Sequence, residues 1–264
     1  MPDEAWASGE HYETYVGRWS RPVAERFVAW LRPRAGASWL EVGCGTGALT
    51  DALLTTEPTL VLAMDRSRAY LDNLWRRLER RDVRLAVADA VSLPAATGSV
   101  DYVVSGLVLN FLRDPARAVA GMARVCRPGG AVAAYVWDYV EGMQPIRLFW
   151  DAAVAVDPSA VDLDEGRRFP ICQPDRLAGL FAAAGLTEVH STAVTVATRF
   201  RDFDDYWTPF LGGQGPAPGY CASLSDEARE RLRNQLRATL PRARDGSIHL
   251  SARAWAVRGQ VAIL

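Results

Sequence analysis

Lysine is missing from this chain: all 30 of its basic residues are arginine, set against 31 acids for a net charge of −1 over 264 residues. A balance that close to zero excludes the basic footprint that binds nucleic acid or an anionic membrane. Histidine is scarce, with only His11, His190 and His249, so few side chains titrate near neutral pH. The four cysteines, Cys44, Cys126, Cys172 and Cys221, lie far apart. None falls in a C-x-x-C pair or a finger-like spacing, so no metal site is expected. With no secretory signal read at the amino terminus, the expectation is a reduced, cytoplasmic protein. No apolar run approaches the ~20 residues of a membrane-spanning helix. Internal repeats are absent, and the one Gly/Pro-rich stretch, "LGGQGPAPGY" (Leu211 to Tyr220), reads as a loop.

What remains is an ordinary globular composition, 49% hydrophobic and 23% charged, long enough to bury a substantial core. "RPVAERFVAWLRP" has helical periodicity and stops at Pro33. From Trp39 to Trp137, apolar strands alternate with helices: "SWLEV", "LVLAMD", "VRLAVAD", "SVDYVVSGLVL" and "AVAAYVW" are the strands. Ser67 is placed to cap "SRAYLDNLWRRLERR", and "RPGG" is read as closing the helix before the fifth strand. Strands apolar throughout, with helices between, form a parallel sheet covered on both faces. Beyond Trp137 the rhythm breaks. A helix from Pro174, a sixth strand from Thr187 and a seventh at "IHLSARAWAVRG" remain recognisable, and 203–244 has room for a cap.

The first strand runs into "EVGCGTGALT", where Gly43, Gly45 and Gly47 are spaced one residue apart behind Glu41. Three readings are open. The run is a tight turn with no ligand; or it is a dinucleotide site, since Gly43, Gly45 and Ala48 satisfy G-x-G-x-x-(G/A) with Asp65 about 20 residues on; or it holds a nucleoside without phosphate. A charged Glu41 would repel a pyrophosphate and attract a ligand bearing an ammonium and a sulfonium. Acids then end successive strands: Asp65 could accept from ribose hydroxyls, and Asp89, in "ADA", is placed for an adenine amino group. Asp65 is expected to weigh on ligand binding and little on the stability of the empty fold.

With these residues in view, the sequence resembles the class I S-adenosylmethionine-dependent methyltransferases, in particular the type 11 group related to the ubiquinone/menaquinone-biosynthesis enzymes. The resemblance rests on "LEVGCGTGALT", "AMDRS", "VADAVSLP", "GSVDYVVSGLVLNFLRDP" and "ARVCRPGGAVAAYVWD", in that order. It implies a doubly wound, seven-stranded, mostly parallel Rossmann-like sheet with an N-terminal helical lid and an inserted helical cap. One domain is expected over 1–264: helices and lid in 1–36, a cofactor core in 37–138, cap segments in 139–172 and 200–246, and completion of the sheet in 173–199 and 247–264. The implied cofactor is S-adenosyl-L-methionine. Gly43, Gly45 and Gly47 would lie against its methionine part, with Glu41 and Cys44 in the same cofactor site, Asp65 would hold the ribose, Arg66, Asp89 and Ala90 would lie near the adenine, and Ser105 near the methyl group. Tyr15 and Arg18 are lid candidates.

Methyl transfer from a sulfonium needs alignment more than acid–base chemistry. If a base is used, His11 and Asp138 are the candidates. The surplus of aromatic residues beyond the core sheet points to a small, flat, apolar acceptor lined by Trp137, Tyr139, Met143, Tyr206 and Trp207. The expected partner is therefore a small molecule, aromatic or polyketide-like, with no nucleic acid and no membrane, and the chain a monomer or homodimer. Two alternatives stay open: an NAD(P)-dependent oxidoreductase, and a non-catalytic protein that binds S-adenosylmethionine.

Overall fold

β1 (Ser38–Val42) is buried at four of its five positions, a pattern that only a strand covered on both faces can satisfy. The structure is a computed structural model and describes residues 13–78, 82–213 and 215–263. A π-helical turn at Glu13–Gly17 leads into α1 (Arg18–Leu31). After β1 come α2 (Ala48–Leu54), β2 (Leu60–Asp65), α3 (Arg68–Leu78), β3 (Val83–Val87), β4 (Val100–Gly106), α4 (Pro115–Val125) and β5 (Cys126–Trp137). The rest of the chain adds α5 (Gln144–Val156), the one-turn α6 (Glu165–Arg168), α7 (Pro174–Ala183) and β6 (Thr187–Phe200). It ends with α8 (Phe203–Trp207), α9 (Pro216–Ser223), α10 (Asp226–Thr239) and β7 (Ile248–Gln260).

The strands form one sheet in the order β3-β2-β1-β4-β5-β7-β6. β1 through β5 pair in parallel. β7 runs against β5: Gly129 donates to the Val261 carbonyl and Val261 to that of Gly130, while further along β5 Asp138 donates to Arg253. The expected seven-stranded, mostly parallel sheet is therefore present. β6 alternates buried and exposed residues over its second half, with Val194, Val196, Thr198 and Phe200 inward, as a strand with one solvated face must.

Two local readings are corrected. "RPGG" does not close a helix; it lies inside β5. A Cβ at Gly130 would stand 2.5 Å from the Asp101 carbonyl, so the glycine is there for the close approach of two strands. "LGGQGPAPGY" is not all loop, because α9 starts within it at Pro216. Pro216 and Pro218 occupy the first turn of that helix, where a missing N–H leaves no bond unmade.

The chain divides into two compact units. One gathers residues 20–136, 171–194 and 255–263; the other gathers 13–19, 137–170 and 195–254. In the first, Trp39, Leu40, Val103, Val104 and Val132 are fully buried in the sheet, and α1 sets Phe27 4.7 Å from the ring of Tyr135. The second is built on aromatic rings. Phe149 stacks on Phe210 at 4.4 Å, and Tyr15 and Tyr206 each meet Phe210 at 5.3 Å. The two expected cap segments contribute most of this second unit.

Phe210 touches four rings: Tyr15, Phe149, Tyr206 and Trp207. Phe210→Ala should lower the unfolding free energy by about 3–5 kcal/mol, as truncating a buried aromatic does. Urea titration followed by tryptophan fluorescence measures this, and a loss under ~1 kcal/mol would remove Phe210 from the core.

Candidate active site

The chain winds from β1 to β2 to β3 along one side of the sheet and then crosses back to β4 on the other. The loops leaving β1 and β4 therefore diverge, and a crevice opens between them at the carboxyl ends of the strands. The glycine run lies in the first of these loops. Gly43 and Cys44 both donate to the Met64 carbonyl, at 2.7 and 2.9 Å. All three glycines have positive φ, +76°, +49° and +88° in order, a conformation other residues adopt only at a cost.

Their surroundings separate them. A Cβ on Gly43 would stand 2.4 Å from Val108, and one on Gly47 would stand 2.4 Å from Leu74 and 2.6 Å from Arg77. The fold's own packing excludes side chains there. A Cβ on Gly45 would meet no atom within 4 Å. Gly45 thus presents bare backbone to open space, as a ligand cradle requires.

Asp65 ends β2 and binds two backbone amides. Oδ2 accepts from Gly45 at 2.9 Å and Oδ1 from Ser67 at 2.8 Å. One carboxylate thus ties the glycine loop to the start of α3, which corrects the expectation that Asp65 matters little to the empty fold. Acceptor capacity remains on both oxygens.

Glu41 differs from its sequence reading. It is 1% exposed, and the Thr50 hydroxyl donates to it at 2.6 Å. Burial pushes its pKa up to about 8, against the smaller opposing effect of the Thr50 bond. At neutral pH Glu41 is mostly protonated, so the argument that treated it as a charge beside the ligand is corrected. Burial also raises the Cys44 thiol well above its usual range, so it is not a ready nucleophile.

The remaining first-unit residues fall as follows. Ser105 is fully buried and donates to the Val42 carbonyl at 2.9 Å. Asp89 is exposed and accepts from the Val91 amide at 3.0 Å, in a turn that includes Ala90. Arg66 is exposed. Sequence reasoning missed Leu107, which follows β4 with a φ of +61° and donates to the Tyr135 carbonyl. Left-handed backbone costs a non-glycine residue roughly 1–2 kcal/mol, and the next residue, Val108, covers Gly43. Nothing in "GLVLN" announces this, because the strain comes from where the β4 loop must go.

Other candidates belong to the second unit. Tyr15 is buried against Phe210. Arg18 pairs with Asp205 at 3.1 Å and lies over the rings of Trp19 and Phe200. Asp138, proposed as a base, is clasped by Arg253 at 2.6 Å and accepts from the Glu141 amide at 3.2 Å. The structure thus employs it in closing the turn after β5. Trp137, Tyr139, Met143, Tyr206 and Trp207 are all at most 4% exposed, so each is part of the packed unit. His11 lies outside the described residues. The acid that sequence reasoning overlooked is Glu165, 1% exposed, which accepts from the Trp150 indole. "DLDEGRRF" reads as a solvated charge run and hides that burial.

Asp65→Ala should destabilise the ligand-free chain by about 1–3 kcal/mol, since two amides lose a charged acceptor; urea unfolding without ligand tests this, and no change would overturn it. The sign for Glu41 is opposite to that of an ordinary paired acid. The unfolded chain releases its proton near 4.5 and the folded chain near 8, so between them folding takes up a proton and stability falls as pH rises. Glu41→Gln should remove up to about 1.4 kcal/mol of loss per pH unit across that window. Parallel pH profiles of the two proteins would refute it.

Comparison with known proteins agrees with this geometry. A family model described as a methyltransferase domain matches residues 40–134, the stretch that carries the glycine loop and β1 to β5. The malonyl-[acyl-carrier protein] O-methyltransferase of Hahella chejuensis is 34% identical over 125 residues, 47% of this chain and 44% of that protein. The matched part thus spans less than half the length of that relative. Among solved structures, phosphoethanolamine N-methyltransferase 2 of Haemonchus contortus, in complex with S-adenosyl-L-methionine, superposes with a TM-score of 0.60 at 15% identity, covering 99% of this chain and 59% of that one. The YcgJ protein of Bacillus subtilis gives 0.58 at 16%, covering 92% and 99%. No helix among the described residues is long and apolar enough to cross a membrane. Residues 40–134 thus match a methyltransferase domain, and it is in that stretch that the chain is similar to S-adenosylmethionine-dependent methyltransferases.

Proposed function

We propose that the whole chain is an enzyme that transfers a methyl group from S-adenosyl-L-methionine to a small, mostly apolar acceptor, aromatic or polyketide-like. The observation that carries the cofactor part is Gly45, whose bare backbone faces open space while its amide is held by Asp65. The cofactor supplies an electrophilic methyl group on a sulfonium whose departure leaves a neutral sulfide.

The chain's residues would position and enclose. Gly43, Cys44, Gly45 and Gly47 would offer backbone to the methionine part. Asp65, already oriented by two amides, would take ribose hydroxyls in charge-assisted bonds, stronger than neutral ones. Asp89 and Ala90 would meet the adenine. Alignment and exclusion of water account for most of the rate in such a displacement, up to roughly 7–11 kcal/mol. The aromatic second unit supports a flat apolar acceptor. The net charge of −1 supports one other than nucleic acid, and the chain acting as a monomer or homodimer is part of the same reading. Four buried cysteines, none of them in a disulfide among the described residues, support a reducing, cytoplasmic setting.

Calorimetry should show S-adenosylmethionine or its demethylated product binding and no binding of NADH, and Gly45→Val should abolish binding by filling the cradle. NADH binding in place of S-adenosylmethionine would sink the reading. With tritiated methyl donor, small phenols and quinols should be labelled; labelling of nucleic acid or histone-like peptides instead would refute the acceptor class.

A further inference from the structure

A cavity of about 190 Å³ opens in the sheet unit where β4, β5 and β6 begin and β7 ends. Its lining residues all fall within 20–136, 171–194 and 255–263, so it belongs to that unit alone. Asp101, in its wall, stands five residues before Gly106 at the carboxyl end of β4, a rise of roughly 17 Å along a strand. The cavity is therefore at the opposite end of the strands from the glycine loop. A cavity of ~150 Å³ already takes benzene, so this one has room for a small organic molecule.

The charge in its wall is built around one buried acid. Asp101 is 6% exposed. Burial works to raise its pKa, but the Ser38 amide and hydroxyl, at 2.8 and 2.9 Å, together with Arg34 and Arg127, hold it below its usual value. Asp101 is thus an anion, and it draws two guanidiniums to the cavity: Arg34 pairs with its Oδ1, and so does Arg127 at 2.5 Å. Both side chains stay about half exposed, and each guanidinium has five N–H donors, so donors are left over on both. Arg258 supplies a third guanidinium. It lies 5.2 Å over the Trp30 ring and makes no ion pair with any described residue. Against these three cations stand Asp101 and the exposed Glu188, so the wall keeps a net positive charge. The Tyr102 hydroxyl accepts from the Arg34 amide at 3.3 Å and keeps its own proton to give.

The groups left over on the three arginines and Tyr102 are donors. Guanidinium forks match the geometry of carboxylates and phosphates. A carboxylate brings two oxygens and one charge. A phosphate monoester brings three terminal oxygens and a charge of about −1.5 to −2 at neutral pH, which suits several forks arriving from different strands. We propose that this cavity binds a small soluble phosphate monoester, its phosphate taken by Arg34, Arg127, Arg258 and the Tyr102 hydroxyl, at a site separate from the cofactor crevice.

Calorimetry of the full chain with S-adenosylhomocysteine present should show glycerol 3-phosphate binding once per chain, with a Kd on the order of 1 mM or tighter, and no binding of glycerol. Arg258→Gln should weaken that binding by on the order of tenfold, the worth of one charge-assisted hydrogen bond, and leave S-adenosylhomocysteine affinity unchanged. Arg258→Lys should fall between the two, because it keeps the charge without the fork. No binding of glycerol 3-phosphate overturns the proposal, and so does binding that Arg258→Gln leaves intact. Displacement of S-adenosylhomocysteine by glycerol 3-phosphate also overturns it, since the phosphate would then sit in the cofactor crevice. Phosphatidylcholine vesicles containing phosphatidic acid carry the same monoester on a surface and should not retain the chain; retention would overturn a soluble ligand. If Arg258→Gln fails to fold, Arg34→Gln, at a side chain 53% exposed, decides in its place.

Discussion

The carboxylate of Asp65 is the point on which the cofactor unit's site depends. It receives the amide of Gly45 on one oxygen and that of Ser67 on the other, so the loop after β1 and the turn after β2 are held by one group. Charge-assisted bonds to backbone amides are about twice as strong as neutral ones, and they set the position of a loop that has few side chains of its own. With the loop held, Gly43 is close enough to Val108 to exclude any Cβ, and Gly47 to Leu74. Gly45 alone is left facing open space. The same acid that shapes the empty loop is also the one with acceptor capacity to spare for a ligand, and stability and binding are joined in it.

The two units use buried polarity differently. In the sheet unit, Glu41 is kept inside by hydrogen bonding from Thr50 and by a pKa raised to about 8; an acid that is neutral at working pH avoids most of the cost of burying charge. In the aromatic unit, Asp138 is buried as half of an ion pair with Arg253, and Glu165 against the Trp150 indole. Removing one partner of such a pair is far more damaging than never having built it, which makes these positions poorly replaceable whatever their chemical role.

Much of the architecture was legible from the chain alone. The five runs from "SWLEV" to "AVAAYVW" are apolar along their whole length, and only strands covered on both faces present that pattern, so the parallel sheet followed. The glycines and the acids at the strand ends were legible for the same reason: each is a local departure from an apolar run. "RPGG" and "LGGQGPAPGY" misled because proline and glycine punctuate turns on average, whereas here Gly130 serves a close strand contact and the prolines open a helix.

The sequence by itself determined the sheet, the order of its strands along the chain and the place of the glycine loop, because these depend on residue type and spacing over a few neighbours. Only the tertiary structure decided which groups are charged, paired or buried. Glu41 looks like an anion until the fold takes it out of water. Glu165 looks like part of a solvated run until Trp150, 15 residues away, donates to it. Asp138 looks like a free acid until Arg253, 115 residues on, reaches it. Burial and partnership are set by residues distant along the chain, and local pattern carries no record of them.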